Sequence, residues 1–321
     1  MPYKVVITDY YYPTLEQEKK VFKNTDIQIY DCNGKCKTEN DVIKYARDAD
    51  AIITQFVRIT KHILDNLLYC KIIVRYAVGL DTIDIEAATE KRIMIANVPD
   101  ANINEVAEHT LALTLAILRK VKLMDLEAHR GIWSYEGAVP IYRVSKLTLG
   151  LIGFGKIGRI VAHKSTALGF KKVQVFDPYF KEIDRYPNFE FVPLENLLST
   201  SDIISIHVPL TEETRDLINA ETIELMKNGS YIINTSRGSI IREKDLIEAL
   251  DNKKVAGACL DVLEDERNVR DSPLLGYENV IITPHMAWYS TDSIKEVQRK
   301  AAEQVKQALL EGRPNYWVNK F

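Results

Sequence analysis

Arg237, Glu266 and His285 are three side chains whose types could together grip a carboxylate and move a proton. A guanidinium offers a planar fork that binds a carboxylate and polarises an adjacent carbonyl. An imidazole gives or takes a proton near neutral pH. A carboxylate on the ring's other nitrogen orients it and favours its charged form. Taken singly, His285 would be a strand-end histidine held by a main-chain carbonyl, and the other two would be surface charges. What gives the set a reaction is the stretch Gly150-Leu-Gly-Leu-Ile-Gly-Phe-Gly-Lys-Ile-Gly-Arg159. Gly153 allows a tight strand-to-helix turn, Gly155 lets a phosphate approach the backbone, and Gly158 lets helix pack on strand. Alone, such a motif is weak. Here Leu147-Thr-Leu-Gly-Leu-Ile152 reads as a buried strand, residues 160–168 as an amphipathic helix, and Val173-Gln-Val-Phe176 as a second strand. Asp177 ends that strand at the distance where an acid reads a dinucleotide ribose. A nicotinamide dinucleotide, a guanidinium fork and a proton-exchanging imidazole point to reduction of a 2-oxo acid.

The elements that must position these residues are β-branched runs alternating with helical stretches. Val5-Val-Ile7, Ala51-Ile-Ile53, Ile72-Ile-Val74 and Ile93-Met-Ile-Ala96 read as strands buried on both faces, as a parallel sheet requires. Residues 103–122 form an apolar, buried helix, and a second series of strands follows at 149–152, 173–176, 203–206, 231–234, 255–260 and 280–283. The fold class is α/β, with two doubly wound domains. In such sheets ligands bind beyond the carboxyl ends of the strands. Asp177, His207-Val-Pro209, Thr235-Ser-Arg-Gly238, residues 261–266 and Pro284-His285 all fall there, which makes them one shared cleft. The last helix, 291–310, carries Ile294, Val297, Ala301, Val305 and Leu309 on one face and stops at Gly312-Arg-Pro314.

Composition excludes several function classes. A chain of 321 residues suits about two domains on the prior of roughly 150 residues each. With 42 basic against 45 acidic side chains and a net charge of -3, nothing marks a nucleic-acid or membrane surface. The longest apolar stretch, 111–118, is far short of the roughly 20 residues of a bilayer crossing. The opening Met-Pro-Tyr-Lys-Val-Val-Ile-Thr-Asp does not read as a signal peptide, so a cytoplasmic location is expected. Cys32, Cys36, Cys70 and Cys259 read as free thiols of a reducing compartment. Although Cys32 and Cys36 have zinc-like spacing, no His or second Cys pair stands near, and no metal is expected.

The motifs Tyr76-Ala-Val-Gly-Leu-Asp81, Val106-Ala-Glu-His109, His207-Val-Pro-Leu-Thr211, Asn234-Thr-Ser-Arg-Gly238, Gly257-Ala-Cys-Leu-Asp-Val262 and Thr283-Pro-His285 stand in order around the glycine stretch. In this order they resemble the D-isomer-specific 2-hydroxyacid dehydrogenases, over essentially the whole chain. Within that family Pro284-His-Met-Ala-Trp-Tyr-Ser290, Asp177-Pro-Tyr179 and Val318-Asn-Lys320 look most like the C-terminal-binding-protein branch, whose members bind NAD(H) and act in animals as corepressors.

That resemblance implies NAD as cofactor and Arg237, Glu266 and His285 as the catalytic set. Among three successive acids, Glu264, Asp265 and Glu266, it selects Glu266, five residues after Asp261. It implies that the Val78 and Gly79 amides receive the substrate carboxylate, that Gly153, Phe154, Gly155, Lys156, Ile157 and Gly158 cradle the pyrophosphate, and that Asp177 and Pro178 meet the ribose. Val208, Pro209 and Thr214 would line the adenine side, Thr235, Ser236 and Asp261 would hold the nicotinamide end, and Val78, His207, Arg237 and His285 would also touch the cofactor. Trp288, one helical turn beyond His285, would wall the substrate pocket. Residues 1–99 with 288–321 would be a flavodoxin-like substrate domain and 100–287 a Rossmann NAD domain, closing at hinges near Pro99 and Ala287. Residues 102–146 would make a homodimer surface. Glu266 is followed by Arg267 where the family often has Pro, which leaves open the path of the charged loop 267–271. The alternative function is an NAD(H)-sensing binding protein with slow turnover. Formate oxidation fits less well, because it needs no proton relay.

Overall fold

The structure, a computed structural model, describes residues 2–321. The chain forms two compact units, one running to Asn102 and taking in Tyr289–Phe321, the other Ile103–Trp288. The first changeover lies beyond Pro99 because Asp100 is tied to the first unit, accepting from Lys300 Nζ and Tyr316 OH, each at 2.8 Å. The second lies beyond Ala287 because the Trp288 indole donates back to the His285 carbonyl at 2.9 Å.

In the first unit β1 (Tyr3–Ile7), β2 (Ile27–Asp31), β3 (Ala51–Thr54), β4 (Ile72–Arg75) and β5 (Met94–Ala96) form one parallel sheet in the order β2-β1-β3-β4-β5. That is the flavodoxin-like order. β1, β3, β4 and β5 are the expected apolar runs. β2 was not expected: it is an edge strand, Ile-Gln-Ile-Tyr-Asp, with little of its surface buried, so it lacks the continuous apolar run of a central strand. The helix Thr291–Glu311 packs its Val297, Ala301, Ala302 and Val305 face into this unit. Ser290 and Ser293 form a reciprocal capping box at its start, and Gly312 (φ 86°) stops it.

The second unit is a seven-stranded parallel sheet: β6 (Thr148–Ile152), β7 (Lys172–Phe176), β8 (Glu190–Phe191), β9 (Ile203–Ile206), β10 (Ser230–Asn234), β11 (Val255–Leu260) and β12 (Val280–Ile282). The order β12-β11-β10-β9-β6-β7-β8 reverses at β6, next to β9, which is the switch point where dinucleotides bind. β8 is two residues long and carries no readable pattern. The helix expected over 103–122 ends at Leu118, and a second begins at Val121, because Lys120 takes a left-handed conformation (φ 53°). No Gly or Pro marks that break, and apolar residues continue across it at Leu123 and Leu126. No helix among the described residues is long and apolar enough to cross a membrane.

Candidate active site

The glycine turn shows why each position must be what it is. Gly153 has φ 98°, and a Cβ there would stand 2.7 Å from the His207 carbonyl oxygen. At Gly158 a Cβ would lie 2.3 Å from the Gly153 oxygen, so the helix Lys156–Ala167 can approach its strand only through glycine. Gly155 differs: a Cβ would meet nothing within 4 Å. The space beside it is open, as close backbone approach by a ligand requires. No side chain caps the following helix, which leaves the N–H groups of Lys156, Ile157 and Gly158 available to an anion. A pyrophosphate fits this cradle. Phe154, expected in the cradle, points elsewhere: its ring is fully buried among Phe180, Tyr186, Phe189 and Phe191, and its N–H donates to Asp177 Oδ2 at 2.8 Å. Asp177 Oδ1 takes the Tyr179 and Phe180 N–H groups, so strand end and glycine turn are held as one piece, with Pro178 exposed beside them.

Because every strand is parallel, the ends of β7, β9, β10, β11 and β12 share one edge, and the expected residues of this unit stand along it. His285 Nδ1 lies 2.9 Å from Glu266 Oε2, both side chains being partly exposed. The three neighbouring acids divide cleanly. Glu264 and Glu243 cap each other's main-chain N–H groups, Asp265 accepts from the Arg267 and Asn268 N–H groups and closes the loop, and only Glu266 reaches the imidazole. The charged loop therefore turns at Asp265 without needing a proline.

His285 itself has φ 49°, in the left-handed region. Its N–H donates to the Asp261 carbonyl oxygen at 2.8 Å. The buried Asp261 carboxylate accepts the Met286 and Ala287 N–H groups, each at 2.9 Å, and the Thr283 hydroxyl at 2.5 Å. These bonds hold a backbone conformation that a histidine disfavours. Residues 285–288 are consequently a turn rather than helix, which corrects the helical-turn placement of Trp288. Arg237 is half-buried after β10, its Nη1 donating to the Ser236 carbonyl at 2.7 Å. The carbonyl of Arg237 takes Asn234 Nδ2, and the Ser236 hydroxyl donates to Ile206, locking β10 to β9. Thr235 meets the Thr110 hydroxyl at 2.9 Å. Burial pushes His207 down to about 4, so its ring is neutral, with Nε2 2.9 Å from Ser205 Oγ. Val208 and Pro209 follow on the chain, and the Thr214 hydroxyl donates to the Pro209 carbonyl at 2.6 Å.

In the first unit Val78 and Gly79 lie in the loop after β4, where Asn97 Nδ2 donates to the Val78 carbonyl and Arg75 Nη1 to that of Gly79. Sequence reasoning gave no role to Asn97, Arg75 or His109. The last places Nε2 3.0 Å from the Thr283 hydroxyl, beside Asp261. Their polar chemistry was visible, but the pairings join residues far apart in the chain or, for Arg75, a residue that reads as strand end. No cluster of three or more metal-ligating side chains occurs among the described residues.

The chain is similar over most of its length to proteins of known kind. The family described as D-isomer specific 2-hydroxyacid dehydrogenase, NAD binding domain, matches residues 111–287. D-3-phosphoglycerate dehydrogenase of Methanocaldococcus jannaschii is 37% identical over 309 residues, covering 95% of this chain, and this chain spans only 57% of that protein's length. Hydroxypyruvate reductase of Blautia hydrogenotrophica is 34% identical over 297 residues, 91% of each chain. Among solved structures, the D-lactate dehydrogenase of Aquifex aeolicus complexed with NAD and lactic acid superposes with a TM-score of 0.85 at 29% identity, over 98% of this chain and 99% of the other.

Proposed function

This chain belongs to the D-isomer-specific 2-hydroxyacid dehydrogenase family, and from that premise we propose that it is an NAD-dependent oxidoreductase interconverting a 2-oxo acid and a D-2-hydroxy acid. The observation that carries this reading is the 2.9 Å contact of Glu266 with His285 Nδ1, which leaves Nε2 of that imidazole for the substrate. Bound NADH supplies the hydride. His285 protonates the carbonyl oxygen in reduction and takes the proton back in oxidation. Glu266 fixes the ring orientation through its contact with Nδ1. Arg237 grips carboxylate and carbonyl with its fork, and the Val78 and Gly79 N–H groups receive the carboxylate.

Gly153, Gly155, Lys156, Ile157 and Gly158 form the pyrophosphate cradle, with Phe154 acting through Asp177, and Pro178 beside the ribose. Val208, Pro209 and Thr214 line the adenine side, Thr235, Ser236 and Asp261 the nicotinamide end, and Val78, His207, Arg237 and His285 also touch the cofactor. Asp177 favours NADH because its carboxylate repels a 2′-phosphate. Trp288 limits substrate bulk. The unit with β1–β5 is the substrate domain, and that with β6–β12 is the NAD domain.

The exposed side chains Val121, Ile132, Trp133, Tyr135, Val139 and Tyr142 favour a homodimer built on this segment. A second reading, NAD(H) sensing with slow turnover as in the C-terminal-binding-protein branch, is favoured by the segment Pro284-His-Met-Ala-Trp-Tyr-Ser290. Steady-state assays with glyoxylate, hydroxypyruvate, pyruvate and bulkier 2-oxo acids, each with NADH and NADPH, test the proposal. Turnover of at least one acid with NADH preferred is expected. NADH binding without turnover of any would replace it with the sensing role, and equal use of NADPH would remove Asp177 from cofactor choice.

A further inference from the structure

Three consecutive peptide planes in the loop after β4 are each held by their carbonyl. The Ala77 oxygen accepts the Val98 N–H at 3.0 Å, the Val78 oxygen accepts Asn97 Nδ2 at 2.6 Å, and the Gly79 oxygen accepts Arg75 Nη1 at 2.8 Å. A trans peptide is planar, with N–H and C=O directed oppositely. A donor fixed on the carbonyl therefore aims the N–H of the next residue away from itself. The N–H groups so aimed belong to Val78, Gly79 and Leu80, and among the described residues none of them has an acceptor. Successive unpaired main-chain donors make an anion-binding nest.

The clamps differ in character. Arg75 is buried and anchored a second time through Nε to the Gln55 carbonyl at 3.1 Å, with Asp81 at 3.4 Å from Nη1. Removing it would disturb more than the loop. Asn97, just beyond β5, is half-buried, and its amide makes this one hydrogen bond among the described residues. We propose that Asn97 is a positioning residue that aims the Gly79 N–H at the carboxylate of the 2-oxo acid. The proposal rests on the oxidoreductase reading above, and it adds a residue that touches neither cofactor nor substrate.

The test uses Asn97→Leu and Asn97→Asp, two side chains of similar size that cannot donate, in the full chain with NADH bound. Two quantities are read: KM and kcat for the best 2-oxo acid, and the calorimetric Kd of oxamate, a non-reducible 2-oxo acid isostere. Loss of one aiming bond should raise KM and the oxamate Kd about tenfold in both variants. With ground-state binding alone affected, kcat should stay within about threefold. NADH affinity and thermal midpoint should match wild type. Unchanged oxamate affinity in the variants, with an active wild type, overturns the assignment of Asn97 and leaves the proposed function standing. A fall in kcat, NADH binding and thermal midpoint together marks a merely structural tie and overturns it equally. A wild type that neither reduces any 2-oxo acid nor binds oxamate removes the proposed function, and the role of Asn97 with it.

Discussion

At the carboxyl edge of the five-stranded sheet, the groups left without partners among the described residues are main-chain N–H donors at Val78, Gly79 and Leu80, and the Val98 N–H with the Asn97 and Arg75 side chains holds their planes still. At the same edge of the seven-stranded sheet, the groups on offer are ionisable side chains, Arg237, Glu266 and His285. Main-chain dipoles keep their polarity across the working pH range and do not ionise there. Side chains can, and a proton-transfer step requires it. On the proposed function, the first region would serve recognition and the second chemistry, by the kind of atom each presents. Substitutions around the first should move affinity, and substitutions in the second should move turnover.

The largest effect is expected at Arg237. A lysine keeps the charge but not the planar fork, so Arg237→Lys should lower kcat for the oxo acid by about 100- to 1000-fold, the scale of losing one positioned transition-state donor. NADH affinity, read by fluorescence titration, should change far less. Near-normal turnover would take Arg237 out of the chemistry and blur the division between the regions. Gly155→Ala sharpens the same contrast on the cofactor side. The added methyl meets no protein atom, so the fold should survive. It would occupy the space a pyrophosphate needs, and NADH should bind about tenfold or more weakly, by more than 1.4 kcal/mol. Normal NADH affinity in that variant would place the phosphates elsewhere.

How far these features could be read in advance follows the same line. The strands buried on both faces were legible as β-branched runs, and the glycine turn was legible because three constraints on backbone space leave a three-letter signature. β2 and β8 were not, since an edge strand buries too little to leave a pattern. The chemistry-bearing residues were visible by type. Their sorting was not: Glu264 and Glu243 cap each other, and Asp261 holds the left-handed turn at His285, pairings that join residues brought together only by the fold, while Asp265 closes its own loop locally. Asn97 was invisible for the same reason, being a small amide whose partner is a main-chain carbonyl in the loop after the neighbouring strand.

A smaller effect separates the regions through buried groups beneath each edge. In the first unit Glu18 is buried against Tyr76 OH at 2.6 Å and Gln298, and burial raises its carboxyl above the usual range. In the second, burial lowers His207 to about 4. The signs oppose. For His207 the unfolded chain gains a proton as pH falls through its ordinary 6.5 while the folded chain resists until about 4, so its contribution to stability is present above 6.5 and lost on going down to about 4. For Glu18 the folded carboxyl keeps its proton longer, so its contribution is present at low pH and lost as pH rises through the folded value. His207→Gln should therefore flatten the acid-side fall of the thermal midpoint, and Glu18→Gln should not. An equal acid-side fall in His207→Gln and wild type would mean that the ring is not held neutral.

The most direct test of the proton-transfer assignment is the pH profile of kcat for oxo-acid reduction in wild type and Glu266→Gln, measured where a deuterated NADH isotope effect shows hydride transfer to be rate-limiting. Glutamine keeps the shape beside His285 but removes the carboxylate that stands 2.9 Å from Nδ1 and fixes the ring. With the ring no longer held, turnover should fall in both directions across the profile, by about 10- to 10,000-fold on the scale of acid–base contributions. Superimposable profiles in both directions would contradict the account: Glu266 would not position the imidazole that carries the proton.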